Sequence, residues 1–105
     1  MSDIQVTDNA DLERYEARLD GELAGFAQYE LRAGSIVFFH TEVDPAFEGH
    51  GIGTTLIKES LADVRTKGER NVVPTCPFYR GYLTKHPEYD DLIEPHHLKQ
   101  IQGDR

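Results

Sequence analysis

Residues 36–74 read IVFFHTEVDPAFEGHGIGTTLIKESLADVRTKGERNVVP, and the changes of pattern within them decide the fold. Ile36 to Val43 is almost wholly apolar or β-branched, the composition of a strand covered on both faces. Asp44-Pro45 breaks that strand, and glycines follow at 49, 51 and 53. The period then becomes helical. Ile52, Leu56, Ile57, Leu61 and Val64 form one stripe, with Lys58, Glu59, Asp63, Arg65 and Lys67 elsewhere around it. Gly68 suits the C-terminal cap of this helix. Val72-Val73 is a short strand, and Pro74 stops its ladder by removing a backbone donor. The segment therefore predicts strand, glycine loop, helix and strand, a crossover unit.

Upstream the period is two. Tyr15, Ala17 and Leu19 share a face, Asp20-Gly21 supplies a tight hairpin, and Leu23, Gly25, Ala27, Tyr29 and Leu31 alternate down a second strand. Arg32-Ala33-Gly34 turns the chain into the Ile36–Val43 strand. Downstream, Pro77 opens a second helix, with Phe78, Tyr79, Tyr82, Leu83 and His86 on one stripe, and Pro87 closes it. Tyr89, Leu92 and Ile93 pack back on the sheet. The expected architecture is α+β: one mixed, mainly antiparallel sheet with two helices. A single domain covers 1–105, with an ordered core over about 12–93. The first ten residues read as frayed and the last dozen as a tail.

The charge balance, 11 Lys+Arg against 19 Asp+Glu, gives a net −8. With no basic cluster to offset it, this argues against nucleic-acid binding. No apolar run approaches a membrane span, and the N-terminus lacks a signal-peptide pattern. The lone Cys76 excludes a disulfide scaffold and indicates a reducing compartment, so the expected location is cytoplasmic.

The glycine loop is the strongest functional signal. Glycines let the backbone turn sharply and let a ligand approach its amide N–H groups. A helix start adds unpaired donors and partial positive charge, which together suit a phosphate or pyrophosphate. Two familiar phosphate loops do not fit. Gly53 is followed by Thr54-Thr55 rather than Lys-Ser/Thr, and the glycine spacing is not that of a dinucleotide fingerprint.

The loop, with His40-Thr41-Glu42-Val43 before it and Pro74-Thr75-Cys76-Pro77-Phe78 and His86-Pro87-Glu88-Tyr89 after it, resembles the compact single-domain GNAT-like acyl-CoA N-acetyltransferases. The resemblance runs from about Leu12 to Ile93. It implies acetyl-CoA (coenzyme A) as co-substrate, its pyrophosphate on the backbone of His50, Gly51, Ile52 and Gly53 with help from Thr54. It also implies that the pantetheine arm runs between two strands that part near Pro74. The family's first motif residue, Arg or Gln, is here Glu48, which is expected to point outward.

Cys76 falls between a strand and a helix start, where the helix dipole activates thiols. Nucleophile, proton donor to the leaving thiolate, and small buried hydrophobe are the readings open to it. His40, read as sharing a face with Ile36 and Phe38, is the candidate general base, with core packing as the alternative. Tyr79 ranks below Cys76 as a proton donor. His96-His97 does not make a metal site, and no metal is expected. Arg80 and Lys85 read as a solvated helix face, with the ribose phosphate of coenzyme A as their alternative partner.

The expected function is acetyl transfer to an unidentified amine, such as a lysine side chain or polyamine. A non-catalytic acyl-CoA-binding or protein-interaction module on the same fold is the alternative. With few residues before the first expected strand, the acceptor side should be open and shallow.

Overall fold

The computed structural model describes residues 3–105. Five strands make one sheet in sequence order: β1 (Ile4–Asn9), β2 (Arg14–Leu19), β3 (Glu22–Arg32), β4 (Ser35–Val43) and β5 (Asn71–Pro74). β1 to β4 are antiparallel neighbours, and β5 runs parallel to β4 after the crossover through α1 (Ile52–Lys67). α2 (Pro77–Thr84) follows β5, then a 3-10 turn (Pro87–Leu92), then α3 (Pro95–Gly103). The α+β fold with its mixed sheet is as the sequence predicts.

Two expectations fail at the ends. Residues 4–9 are not frayed: β1 pairs along its whole length with β2, from Ile4 opposite Leu19 to Asn9 opposite Arg14. Its alternation carries few large apolar residues, so composition alone hid it. The last dozen residues are not a tail either. A third helix, α3, follows Pro95, and its Ile101 is fully buried. Arg105 locks the end of the chain by bonding Asp90 and the carbonyls of Leu83 and Thr84. Regular structure thus extends on both sides of 12–93, and the described residues hold three α-helices.

The core lies between the sheet and its helices. Tyr15, Tyr29 and Phe38 from β2, β3 and β4 pack against Leu56, Ile57 and Leu61 of α1 and Tyr79 and Leu83 of α2. Phe38 stacks on Tyr79 with centroids 4.3 Å apart. The Tyr79 hydroxyl is paired with Ser60 Oγ at 2.7 Å, and Ser60 donates to the Ile57 carbonyl, so neither buried hydroxyl goes unsatisfied. The opposite sheet face carries Arg14, Glu16, Arg18, Phe26, Gln28 and His40. Glu16 is the buried member, clasped by Arg14, Arg18 and Asn9. Burial pushes its carboxyl up, but those hydrogen bonds outweigh it and leave the pKa lowered.

Gly25 sits under the first turns of α1, against Ile52 and Leu56. A Cβ there would lie 2.7 Å from the Glu42 carbonyl oxygen and 3.0 Å from Ile52 Cγ2. Because the nearer obstacle is backbone, Gly25→Ala should cost about 1–3 kcal/mol. Thermal unfolding followed by circular dichroism should show Tm lowered by roughly 5–15 °C.

α3 carries its own pH signature. Glu94 accepts from the N–H groups of His96 (2.9 Å) and His97 (3.1 Å) and meets His97 Nδ1 at 2.7 Å. These contacts, the His97 ring first, pull its carboxyl from 4.5 to about 2. A depressed carboxyl stabilises fully above its unfolded pKa, and the gain is lost as pH falls through the folded value. The Tm deficit of Glu94→Gln relative to wild type should therefore persist at neutral pH. It should shrink between pH 4.5 and about 2 and then close.

Candidate active site

The ladder between β4 and β5 is short. It runs from Ser35 opposite Asn71 to Phe38 opposite Pro74 and stops there. Pro74 has no N–H to carry it on. The Phe38 carbonyl instead takes the Cys76 N–H at 2.9 Å and the Thr75 hydroxyl at 3.3 Å. Beyond this clasp the chain turns into α2, and β4 continues from Phe39 to Val43 paired with β3 alone. The parting of the strands therefore lies where Pro74 predicts it.

Two helix starts flank this parting. Gly51 is the N-cap of α1 in the left-handed region (φ 75°), and no side chain caps the helix. Gly49 shares that conformation (φ 86°), which glycine adopts without steric cost. The first helical hydrogen bond runs from Thr55 N–H to the Gly51 carbonyl, which leaves the N–H groups of Ile52, Gly53 and Thr54 ahead of it. The first turn carries no acidic residue, Glu48 is exposed, and so is His50. This donor set fits an anion: uncapped N–H groups, a helix dipole and no Cβ on the N-cap.

Gly53 has a second role that the loop pattern does not reveal. A Cβ there would lie 2.4 Å from the Phe78 ring, so the missing side chain makes room for that ring over the first turn of α1. Phe78 is 45% exposed despite its place on the predicted stripe. From there a groove of about 320 Å3 follows α2, lined by Thr54, Ile57, Phe78, Tyr82, Lys85 and His86. Tyr82 and His86 stack at 3.9 Å along it. Arg80 does not join them: its guanidinium reaches Gln100 and Asp104 and ties α2 to α3.

Cys76 is the N-cap of α2, with Pro77 in the first turn as predicted, and no side chain caps that helix either. Its thiol is buried, at 4% exposure, with Sγ 3.4 Å from Thr41 Oγ1. Tyr79, one turn on, is wholly enclosed. Burial drives its hydroxyl pKa well above the ordinary range, so it is a core residue rather than an exposed proton donor.

His40 does not share a face with Ile36 and Phe38. Tyr29 pairs with Phe38 and Gln28 with His40, so Phe39 is an extra residue on β4. This bulge turns His40 onto the opposite face. There its ring sits 6.2 Å from that of Phe26, and Nε2 meets Glu42 Oε1 at 2.9 Å. Thr41, the next residue, points to the helix side and reaches Cys76. His40 and Cys76 thus stand on opposite faces of the sheet beside the same parting of the strands. Their residue types were legible in the sequence. The bulge was not, because it depends on register with β3. The partner Glu42 had a signal, since residues i and i+2 share a strand face.

Burial makes Cys76 slow to alkylate. Iodoacetamide should label the native protein more slowly than free cysteine, with the difference removed in about 6 M urea, where the fold is lost.

A family model described as GCN5-related N-acetyl-transferase matches residues 14–92, from the start of β2 to the end of the 3-10 turn. Among solved structures, the ribosomal-protein-S18-alanine N-acetyltransferase from Escherichia coli is similar, with a TM-score of 0.55 at 16% identity. That match covers 69% of this chain and 64% of the other, just under two thirds of its length, and shows a common fold. A search of curated proteins gave no match. No helix among the described residues is long and apolar enough to cross a membrane. With the glycine loop at the start of the crossover helix and the family match over β2 to β5, the chain belongs to the GCN5-related N-acetyltransferases, an acyltransferase family.

Proposed function

We propose that the protein transfers an acetyl group from acetyl-CoA to a primary amine at the parting of β4 and β5. The observation that carries this reading is the uncapped start of α1 beside strands that separate at Pro74. The N–H groups of Ile52, Gly53 and Thr54, with Gly51 and His50 at the turn, would hold the pyrophosphate. Lys85, in the groove beside Tyr82 and His86, is the cation available to a further phosphate of coenzyme A. Acetyl-CoA, when bound, supplies a thioester carbonyl as the electrophile.

The chain's own groups divide the proton work between the two sheet faces. On the open face, His40 takes the proton from the attacking amine at a ring nitrogen, directly or through water, and Glu42 orients the imidazole. On the helix face, Cys76 gives the departing thiolate its proton, with Thr41 holding the thiol. In this arrangement the C–N bond forms from one side of the sheet and the C–S bond breaks on the other. The open face, with the exposed Glu42 on it, suits an exposed lysine or a polyamine better than an enclosed metabolite.

A non-catalytic acyl-CoA-binding module is the second reading, favoured by Glu48 in place of Arg or Gln. Calorimetric titration with acetyl-CoA, with desulfo-CoA as comparison, tests the cofactor site. Saturable binding is expected, and no heat at millimolar ligand would overturn both readings. Gly51→Asp puts a carboxylate among the donors at a position with no heavy atom within 4 Å of the new Cβ. The left-handed φ of 75° strains an aspartate by about 1–2 kcal/mol, but Asp enters that region more readily than other side chains, so the fold should hold with a lowered Tm while acetyl-CoA binding is lost. His40→Ala should leave acetyl-CoA affinity unchanged. It should lower the rate of thiol release with spermidine or lysine peptides by about 100-fold. A rate equal to wild type would remove His40 from the proton transfer, and no thiol release by the wild-type protein would leave the binding-module reading standing.

A further inference from the structure

Beside His40 on the open face of the sheet, a shallow hollow of about 260 Å3 is lined by Leu12, Glu13, Gln28, Glu30 and Phe39. Gln28 and Glu30 are two residues apart on β3, so both side chains leave on the face that carries His40, the register partner of Gln28. The bulge leaves Phe39 exposed at 47%, and Leu12, from the turn between β1 and β2, shares the hollow with it at 56%. That turn is fastened in place. Leu12 N–H donates to Asn9 Oδ1 at 3.3 Å, Glu13 N–H donates to the Ala10 carbonyl at 3.2 Å, and the Glu13 carbonyl accepts from Tyr29 N–H at 3.0 Å. Two large apolar side chains are thus held in solvent beside the candidate base.

The rim of the hollow is acidic. Glu13 makes no ion pair among the described residues. Glu30 meets Arg32 at 3.1 Å in a pair more than half exposed at both ends, which costs little to exchange for another partner. Arg14 and Arg18 of the same face are already committed to Glu16. Apolar walls under two carboxylates complement a side chain with a long apolar stem and a planar cation at its tip. Arginine is that side chain: its stem covers Leu12, and its guanidinium stacks on Phe39 and reaches the carboxylates.

The spacing from His40 says what carries the arginine. Glu30 lies two residues along β3 from the Gln28–His40 pair, a distance of about 7 Å. In an extended polypeptide, residues i and i+2 likewise share a face about 7 Å apart, whereas i+1 points the other way. We propose that the hollow docks the arginine of a basic polypeptide segment, two residues from the lysine that the segment presents to His40. The inference rests on the acetyl-transfer reading and narrows its acceptor from any amine to a lysine with this neighbour.

The test is an NMR titration of the 15N-labelled protein with blocked hexapeptides, taken to about 10 mM because a segment this short binds weakly. Gly-Arg-Ala-Lys-Ala-Gly and Gly-Ala-Lys-Ala-Arg-Gly place the arginine two residues before or after the lysine. Gly-Ala-Arg-Lys-Ala-Gly has the same composition and charge with the arginine adjacent. One of the first two should shift the amides of Leu12, Glu13, Glu30 and Phe39 and bind at least about threefold more tightly than the third. The double variant Glu13→Gln, Glu30→Gln should weaken it by about three- to tenfold. Absence of shifts at these residues, equal binding of all three peptides, or undiminished binding to the double variant would each overturn the proposal. Spermidine bound at the same residues as tightly as the best peptide would overturn it in favour of a polyamine. Thiol release from acetyl-CoA separates the two readings. Release that proceeds equally with all three peptides would overturn the docking site and leave acetyl transfer standing. Binding that obeys the spacing, with no release from any amine, would support the docking site and remove acetyl transfer.

Discussion

The clasp at Phe38 sets the geometry on which the rest of the site depends. Its carbonyl receives the Cys76 N–H and the Thr75 hydroxyl at the point where Pro74 has no donor to offer. A longer ladder would have zipped β5 along β4 and closed the gap. Instead the parallel pairing ends at Phe38, and the chain turns at once into α2. The Phe38 ring, stacked on Tyr79 beneath the clasp, anchors that turn to the core, and the Tyr79–Ser60 pair ties α2 to α1. The starts of both helices are therefore held beside the same break in the sheet.

Leaving those two starts without side-chain caps runs against helix stability, since a Ser, Thr, Asp or Asn cap contributes about 0.5–2 kcal/mol. The chain uses such caps elsewhere. Asp44 caps the short helix Pro45–Phe47, and Glu94 caps α3. At α1 the N-cap is a glycine with the first-turn donors exposed beyond it, the arrangement that an anion can complete. The stability given up there is recovered by α1 burial, with Ile52, Leu56, Ile57, Leu61 and Val64 all packed into the core.

The bulge at Phe39 gives the sheet its division of labour. Without it, His40 would alternate into the core with Phe38; with it, His40 faces Phe26 and Glu42 on the open side while Thr41 reaches Cys76 on the helix side. A single inserted residue thus sets a histidine and a thiol on opposite faces of one gap. The same face carries the Arg14–Glu16–Arg18 network, whose charges are satisfied within the sheet.

Much of this was written in the sequence. The period-two strands, the stripe from Ile52 to Val64, the glycine loop, Gly68 as cap and Pro74 as ladder stop are local signals. Each acts through backbone sterics or a periodicity of a few residues. Such signals determined the mixed sheet, the crossover helix and the anion-fitting turn. Tertiary structure alone decided what depends on partners distant in the chain. β1 exists because β2 offers it a paired edge, and α3 because Ile101 finds a place in the core and Arg105 bonds back to Asp90. Phe78 lies over Gly53 because two helices meet there. His40 changes face because register with β3 inserts Phe39, and a register shift of one residue is a property of two strands that neither encodes by itself.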